Sequence, residues 1–265
     1  MQDRLVQYTP RPGRQTLLAP TPGVLDFIQL EMVSLAAGAG DVFFEPARES
    51  VFVLLNGAVE FRAAGQGWTA QRSNVFEAQA PSLFVPAGCR VEMRAGAASE
   101  IAIASAAAAP QGEPRFFAPE TVAVREFGRD NWQRAVKTLQ GADGPAQVLI
   151  VGETINPGGN WSSYPPHRHD YDRPPDEIAM EEVYFYRFQP ANGFGFQRIY
   201  TADRKVDHTW CIRQDTALPI YEGFHPVVVA GGYQLYYLWI LAGKKKELIP
   251  FTDPEYRWVL DQQKR

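Results

Sequence analysis

The chain has 265 residues, 26 basic and 30 acidic, for a formal charge of −4 with histidines neutral. A hydrophobic fraction of 45% and a charged fraction of 21% are those of a globular protein and exclude a largely disordered one. The mild acidity, without a Lys/Arg block, argues against a nucleic-acid partner, and the length suffices for nearly two domains.

The first residues, Met1-Gln2-Asp3-Arg4-Leu5-Val6-Gln7, lack the basic region and apolar stretch of a secretory signal. Short runs rich in β-branched and aromatic residues follow, at 25–30, 50–55, 58–62, 82–85 and 91–94. Asn56-Gly57 and Pro86-Ala87-Gly88 read as turns between them, and strands at this spacing predict a sandwich or barrel. Residues 102–109 are low in complexity and run into Pro110-Gln111-Gly112-Glu113-Pro114, which reads as a linker. The strand rhythm resumes at Arg115, so the expected division is 1–112 and 113–265.

The longest apolar tract, residues 227–243, is broken by Gly231-Gly232 and Gln234 and is too short for a membrane span. Thr252-Asp253-Pro254-Glu255 has the form of a helix start, with Thr252 as cap, and predicts one short terminal helix. Cys89 and Cys211 lie far apart without a CxxC partner, which fits a reducing compartment and small core residues better than disulfides or nucleophiles. A cytoplasmic location is expected, with no membrane partner. The halves share a faint pattern: Glu49-Ser50-Val51-Phe52-Val53-Leu54 resembles Glu181-Glu182-Val183-Tyr184-Phe185-Tyr186. One β fold used twice is the expectation.

All four histidines lie in the second half. In Pro165-Pro166-His167-Arg168-His169, two histidines two apart on a strand project to the same face. Glu182 begins the alternation Glu182, Tyr184, Tyr186, Phe188 on one face of the next strand, whereas Glu181 points the other way. His225, in Gly223-Phe224-His225-Pro226, supplies a third imidazole. Three nitrogens and one carboxylate suit a borderline divalent ion with an open coordination sphere. His208 follows Asp207 in a polar stretch and reads as a solvated turn residue. The first half has no histidine, and Ser50 falls where Glu182 lies in the repeat, so that half is expected to be metal-free scaffold.

These residues resemble the metal signature of the cupin superfamily. Gly159-Asn160-Trp161-Ser162-Ser163-Tyr164-Pro165-Pro166-His167-Arg168-His169-Asp170 further resembles the signature segment of the 5-deoxy-glucuronate isomerase family. The likeness continues through residues 181–188, 193–201, 223–226 and 232–239, and reaches Arg72-Ser73-Asn74-Val75-Phe76 and Phe84-Val85-Pro86-Ala87-Gly88 in the first half. It implies an all-β fold of two cupin-like barrels, a bicupin, with metal ligands at His167, His169, Glu182 and His225. It also implies an aldose–ketose isomerase of inositol catabolism, converting 5-deoxy-glucuronate to 5-dehydro-2-deoxy-gluconate. The loops 170–180 and 219–222 depart from the family pattern, so another uronate is the alternative substrate. A cupin dioxygenase using non-haem iron, or a sugar-binding cupin with a structural metal, are the readings from other classes.

Isomerisation moves a proton between adjacent carbons through an enediol, and a cation of net charge about +1 within this ligand set would stabilise it. No redox change is needed, so zinc is favoured; manganese, iron and nickel fit the same donors. Tyr184, Tyr237 and Glu182 are the candidates for proton transfer, with core packing the alternative for both phenols. The sugar acid's carboxylate calls for an arginine fork, and Arg198 is the first choice, with Gln197, of opposite parity, second. Pairing of exposed strands makes a homo-oligomer the expected assembly.

Overall fold

The computed structural model of the chain describes residues 4–262. Its longest strand, Arg48–Ala63, shows how the layers arise. Val51, Val53 and Leu55 face one core while Phe52 and Leu54 face another, as period-two alternation requires. A register shift between Leu54 and Asn56 then flips the parity, so that Val59 and Phe61 rejoin the core of Phe52. Asn56-Gly57 is therefore a bulge inside one strand, not the expected turn between two. Gly57 has φ +97°, and a Cβ there would lie 2.2 Å from Ser99 Oγ, so glycine alone fits the bend.

The alanine-rich stretch is mostly a strand, Ser99–Ala107, and the expected linker, residues 110–114, lies in the irregular segment that follows it. Ala102, Ala104 and Ala106 pack on the core shared by the two halves while Ile101 and Ile103 fill the core of the first. Small side chains suit a strand against which a second sheet must pack closely. The first predicted strand is also displaced, since the ladder begins at Gln29 and runs to Leu35.

One large sheet follows the order Arg115–Phe117, Ser82–Val85, Arg48–Ala63, Ser99–Ala107, Gln29–Leu35, Gly13–Leu18. The other follows Val6–Gln7, Thr216–Ile220, Glu181–Gln189, Gln234–Ala242, Leu149–Asn156, Arg134–Gln140, Val124–Phe127. The paths correspond strand for strand through the first six, which gives the faint repeat a structural basis. Two strands cross the division at residue 112: Val6 and Gln7 pair with Ala217 and Thr216, and Arg115–Phe117 pairs with residues 82–84.

The cross-half core includes Val51, Val53, Phe185, Tyr236 and Leu238. Two carboxylates reinforce it symmetrically. Glu49 accepts the backbone N–H groups of Gln147, Val148 and Leu149, and Glu181 those of Asp26, Phe27 and Ile28. These are the first residues of the two repeat segments, each bound to the backbone just before the corresponding strand of the other half.

In the second half a four-stranded sheet (Trp161–Ser162, Val227–Val229, Phe194–Tyr200, Asp207–Arg213) stands apart from the seven-stranded one. Residues of both, among them Ile199, Val227, Tyr184, Tyr186 and Trp239, form a third core. The expected barrel is here a pair of hydrogen-bonded sheets enclosing a cavity. At the C-terminus Asp253, not Thr252, caps the turn by accepting the Glu255 N–H at 3.0 Å. Thr252 is engaged in the short strand Phe251–Thr252, and the helix runs Trp258–Gln262. None of the described helices is long and apolar enough to cross a membrane.

Candidate metal centre

His167 and Arg168 form a two-residue strand paired with Thr252 and Phe251. Alternation there sends Arg168 away from the cavity, to Glu177 at 3.1 Å and among the rings of Tyr171, Phe224 and Phe251. His167 and His169 thus turn inward, as the spacing predicts. His225 arrives from the turn after Tyr221, where Gly223 holds φ +86° with no room for a Cβ, which would lie 2.6 Å from the Tyr200 carbonyl oxygen. Asp170 fixes that turn by accepting the Gly223 N–H on both oxygens at 2.9 Å.

One ring nitrogen from each of His167, His169 and His225 lies within 4.8 Å of the others. Glu182 completes the group: its Oε2 stands 3.2 Å from Nε2 of both His169 and His225. The Nδ1 atoms of these two rings face carbonyl oxygens, of Met180 at 2.6 Å and of Gly223 at 3.0 Å. A carbonyl can only accept, so each Nδ1 carries a proton, and each ring turns its Nε2 toward the carboxylate. His225 Nε2 is buried without a hydrogen-bond partner. Imidazole nitrogens and a carboxylate converging in a buried site are what a cation requires, and the Nδ1–carbonyl bonds orient the rings as in metal-ligating histidines. His167, His169, Glu182 and His225 therefore fit a divalent ion.

Electrostatics agree with that fit. Burial opposes ionisation of Glu182, yet the two histidines outweigh it and hold its pKa at about 2. Burial, then the neighbouring imidazoles, push His167 well below its ordinary value, so it is neutral and able to ligate.

The cluster opens into a cavity of about 200 Å³ whose other walls include Arg134, Ser162, Ser163, Tyr184, Tyr237 and Trp239. The Tyr184 and Tyr237 rings pack at 4.7 Å between centroids, tilted by 35°. The Tyr184 hydroxyl meets Ser163 Oγ at 2.8 Å, and that of Tyr237 meets Ser162 Oγ. Burial first, and then the Glu182 charge, raises the Tyr184 phenol well above its ordinary pKa. Burial raises Tyr237 as well, so both hold their protons at neutral pH.

Two residues expected at the carboxylate end stand elsewhere. Arg198 lies outside the cavity, clasped by Asp207 through bonds of 2.8 and 2.7 Å on a half-exposed surface. Gln197 points inward but is fully engaged: its amide donates to the His225 carbonyl at 2.6 Å and its oxygen accepts from Tyr186. It braces the third histidine from behind. His208 sits in the strand Asp207–Arg213, its ring beside Trp210, and not in a turn. Both cysteines are free and half-buried. Arg134, which sequence reading passed over, lines the cavity at the start of its strand.

The KduI/IolB family profile matches residues 7–259. A 5-deoxy-glucuronate isomerase of Geobacillus kaustophilus (strain HTA426) is 34% identical over 252 residues, spanning 94% of this chain and 91% of the relative. That of Bacillus subtilis (strain 168) is 29% identical over 242 residues, 90% and 89% of the two chains. Among solved structures, an IolB-like protein from Salmonella typhimurium LT2 superposes with a TM-score of 0.93 at 28% identity, covering 98% of this chain and all of the other. An oxalate decarboxylase from Lactobacillus farciminis shares the fold, with a TM-score of 0.69 at 11% identity over 100% and 94% of the chains.

Proposed function

Because the chain belongs to the KduI/IolB family, we propose that the cluster of His167, His169, Glu182 and His225 is the divalent-metal centre of an aldose–ketose isomerase. Its substrate in this reading is 5-deoxy-glucuronate, the product is 5-dehydro-2-deoxy-gluconate, and the pathway is inositol catabolism. The observation that carries the reading is the approach of two imidazole Nε2 atoms to one carboxylate oxygen, with both Nδ1 atoms facing carbonyls.

When bound, the cation supplies Lewis acidity toward the sugar's carbonyl and adjacent hydroxyl, and zinc suffices because no electron is exchanged. The chain's own residues do the rest. Tyr184 Oη, protonated and facing the cavity, donates a hydrogen bond or proton to a substrate oxygen as charge gathers there, with the Tyr237 ring packed beside it. Ser163 holds the Tyr184 hydroxyl in place, and the apolar walls of Trp239 and Leu241 limit water.

The wider assignments follow from the same reading. The matched strand orders support a double-cupin organisation with its boundary near residue 112, in which the second half carries the chemistry and the first is scaffold. A cytoplasmic homo-oligomer acting on a soluble sugar acid completes the proposal. Incubation with 5-deoxy-glucuronate in deuterium oxide tests it by NMR: product should form with deuterium on carbon. Absence of exchange with any uronate would end the isomerase assignment.

A further inference from the structure

The buried arginines, Arg72, Arg168 and Arg187, each meet a carboxylate. Arg72 meets Glu153, Arg168 meets Glu177, Arg187 meets Glu100 and Asp215, and Arg198 meets Asp207. Arg134 differs. No carboxylate among the described residues pairs with it, although it lines the cavity that holds the three histidines, Glu182, Tyr184 and Tyr237. Its Nη1 donates to the carbonyl oxygens of Tyr164 at 3.0 Å and Trp132 at 3.2 Å, which fixes the plane of the guanidinium. Phe127 and Trp132 pack their rings within 6 Å of it. Its remaining N–H groups have no bond to the protein among the described residues.

A guanidinium held rigidly at an apolar wall, without a counter-charge, is a site lacking its anion. Burial lowers its pKa from the ordinary arginine value, the mark of a cation whose compensation is not supplied by the protein. Arginine's planar fork matches a carboxylate in two-point geometry. We infer that Arg134 binds the carboxylate of the sugar acid and is the residue that makes the cavity select uronates over neutral aldoses. The inference rests on the isomerase reading for the identity of the sugar, but not for the anion site itself.

Two measurements separate the two. Binding of glucarate, an unreactive sugar diacid, and of sorbitol, its neutral counterpart, is followed by calorimetry on the metal-loaded protein. Turnover of 5-deoxy-glucuronate is followed in parallel, for wild type, Arg134→Met, Arg134→Lys and the control Arg198→Met. Arg134→Met should raise KM and the glucarate Kd by roughly 10- to 100-fold, the range for loss of a charged hydrogen-bonding partner. The change in kcat should be smaller, metal content should stay at wild-type level, and Arg134→Lys should recover part of the loss. Arg198→Met should leave both constants within about threefold, as expected for an exposed pair. Unchanged KM and glucarate affinity in Arg134→Met would overturn the inference. Should that variant not fold, a wild-type KM in Arg134→Lys together with equal affinity of the wild type for glucarate and sorbitol would do the same. Wild-type protein that binds glucarate through Arg134 yet turns over no uronate would remove the isomerase reading and leave the anion site standing.

Discussion

Arg72 and Glu153 join the two halves of the chain through hydrogen bonds of 2.7 and 2.9 Å, and neither side chain has any exposure. The surroundings satisfy the pair. Arg72 also donates to the carbonyls of Leu54 and Ala78, and the Tyr236 hydroxyl donates to Glu153 at 2.7 Å. Removing one partner leaves the other charged, buried and unpaired, at a cost of about 3–5 kcal/mol. Glu153→Ala should lower the urea midpoint accordingly, whereas Tyr236→Phe should cost about 1 kcal/mol. The double variant Arg72→Met with Glu153→Leu should be less destabilised than Glu153→Ala alone. Strict additivity of the two single changes would show the pair to be uncoupled.

The four ligands should act as a set. Glu182→Gln and His225→Ala should each lose the stoichiometric divalent metal retained by the wild type after extensive dialysis, measured by elemental analysis. Circular dichroism should remain that of a β protein, because the two large sheets also rest on cores away from the cavity. Full metal content in either variant would contradict the ligand assignment.

Acid should release the metal before it unfolds the protein. Burial alone disfavours an imidazolium at His169, but the Glu182 carboxylate and the Met180 carbonyl outweigh it and raise the pKa above the ordinary value of 6.5. Above the raised pKa the ring is already neutral and the metal displaces no proton, so affinity is flat with pH. Below it each unit of pH costs about tenfold in affinity. Competition against a chelator between about pH 5.5 and 8.5 should show this break. Glu182→Gln, if it retains weak binding, should move the break toward acid.

Tyr184→Phe should lower kcat by roughly 10²–10⁴, the usual contribution of a positioned acid or base, with metal content and KM little changed. Tyr237→Phe should have the milder effect, since its hydroxyl is tied to Ser162 and its ring packs behind Tyr184. Wild-type deuterium exchange in Tyr184→Phe would move the proton donor elsewhere.

The part of the site that rests on alternation was legible in the sequence. His167 and His169 flank an outward Arg168, and Glu182 shares its face with Tyr184 and Tyr186. Parity also separates Gln197 from Arg198, but chemistry favoured the arginine, and its counter-ion Asp207 lies across a hairpin whose register only the folded sheet reveals. Arg134 left no local signal because no carboxylate among the described residues pairs with its charge. The crossing strands are two and three residues long, too short to carry a pattern.

The reciprocal crossing of those strands has a bearing on biosynthesis. Val6 cannot find its neighbour in the sheet until the ribosome has made Ala217, and residues 82–84, paired on one side with 51–53, gain their outer neighbour only after the second half has begun. A nascent first half therefore carries an unclaimed leading segment through most of translation. Ladders that close over such distances form slowly. The two repeats should mature together, as interlocked pieces of one product, so that neither half severed from the other would yield a soluble, metal-binding fragment.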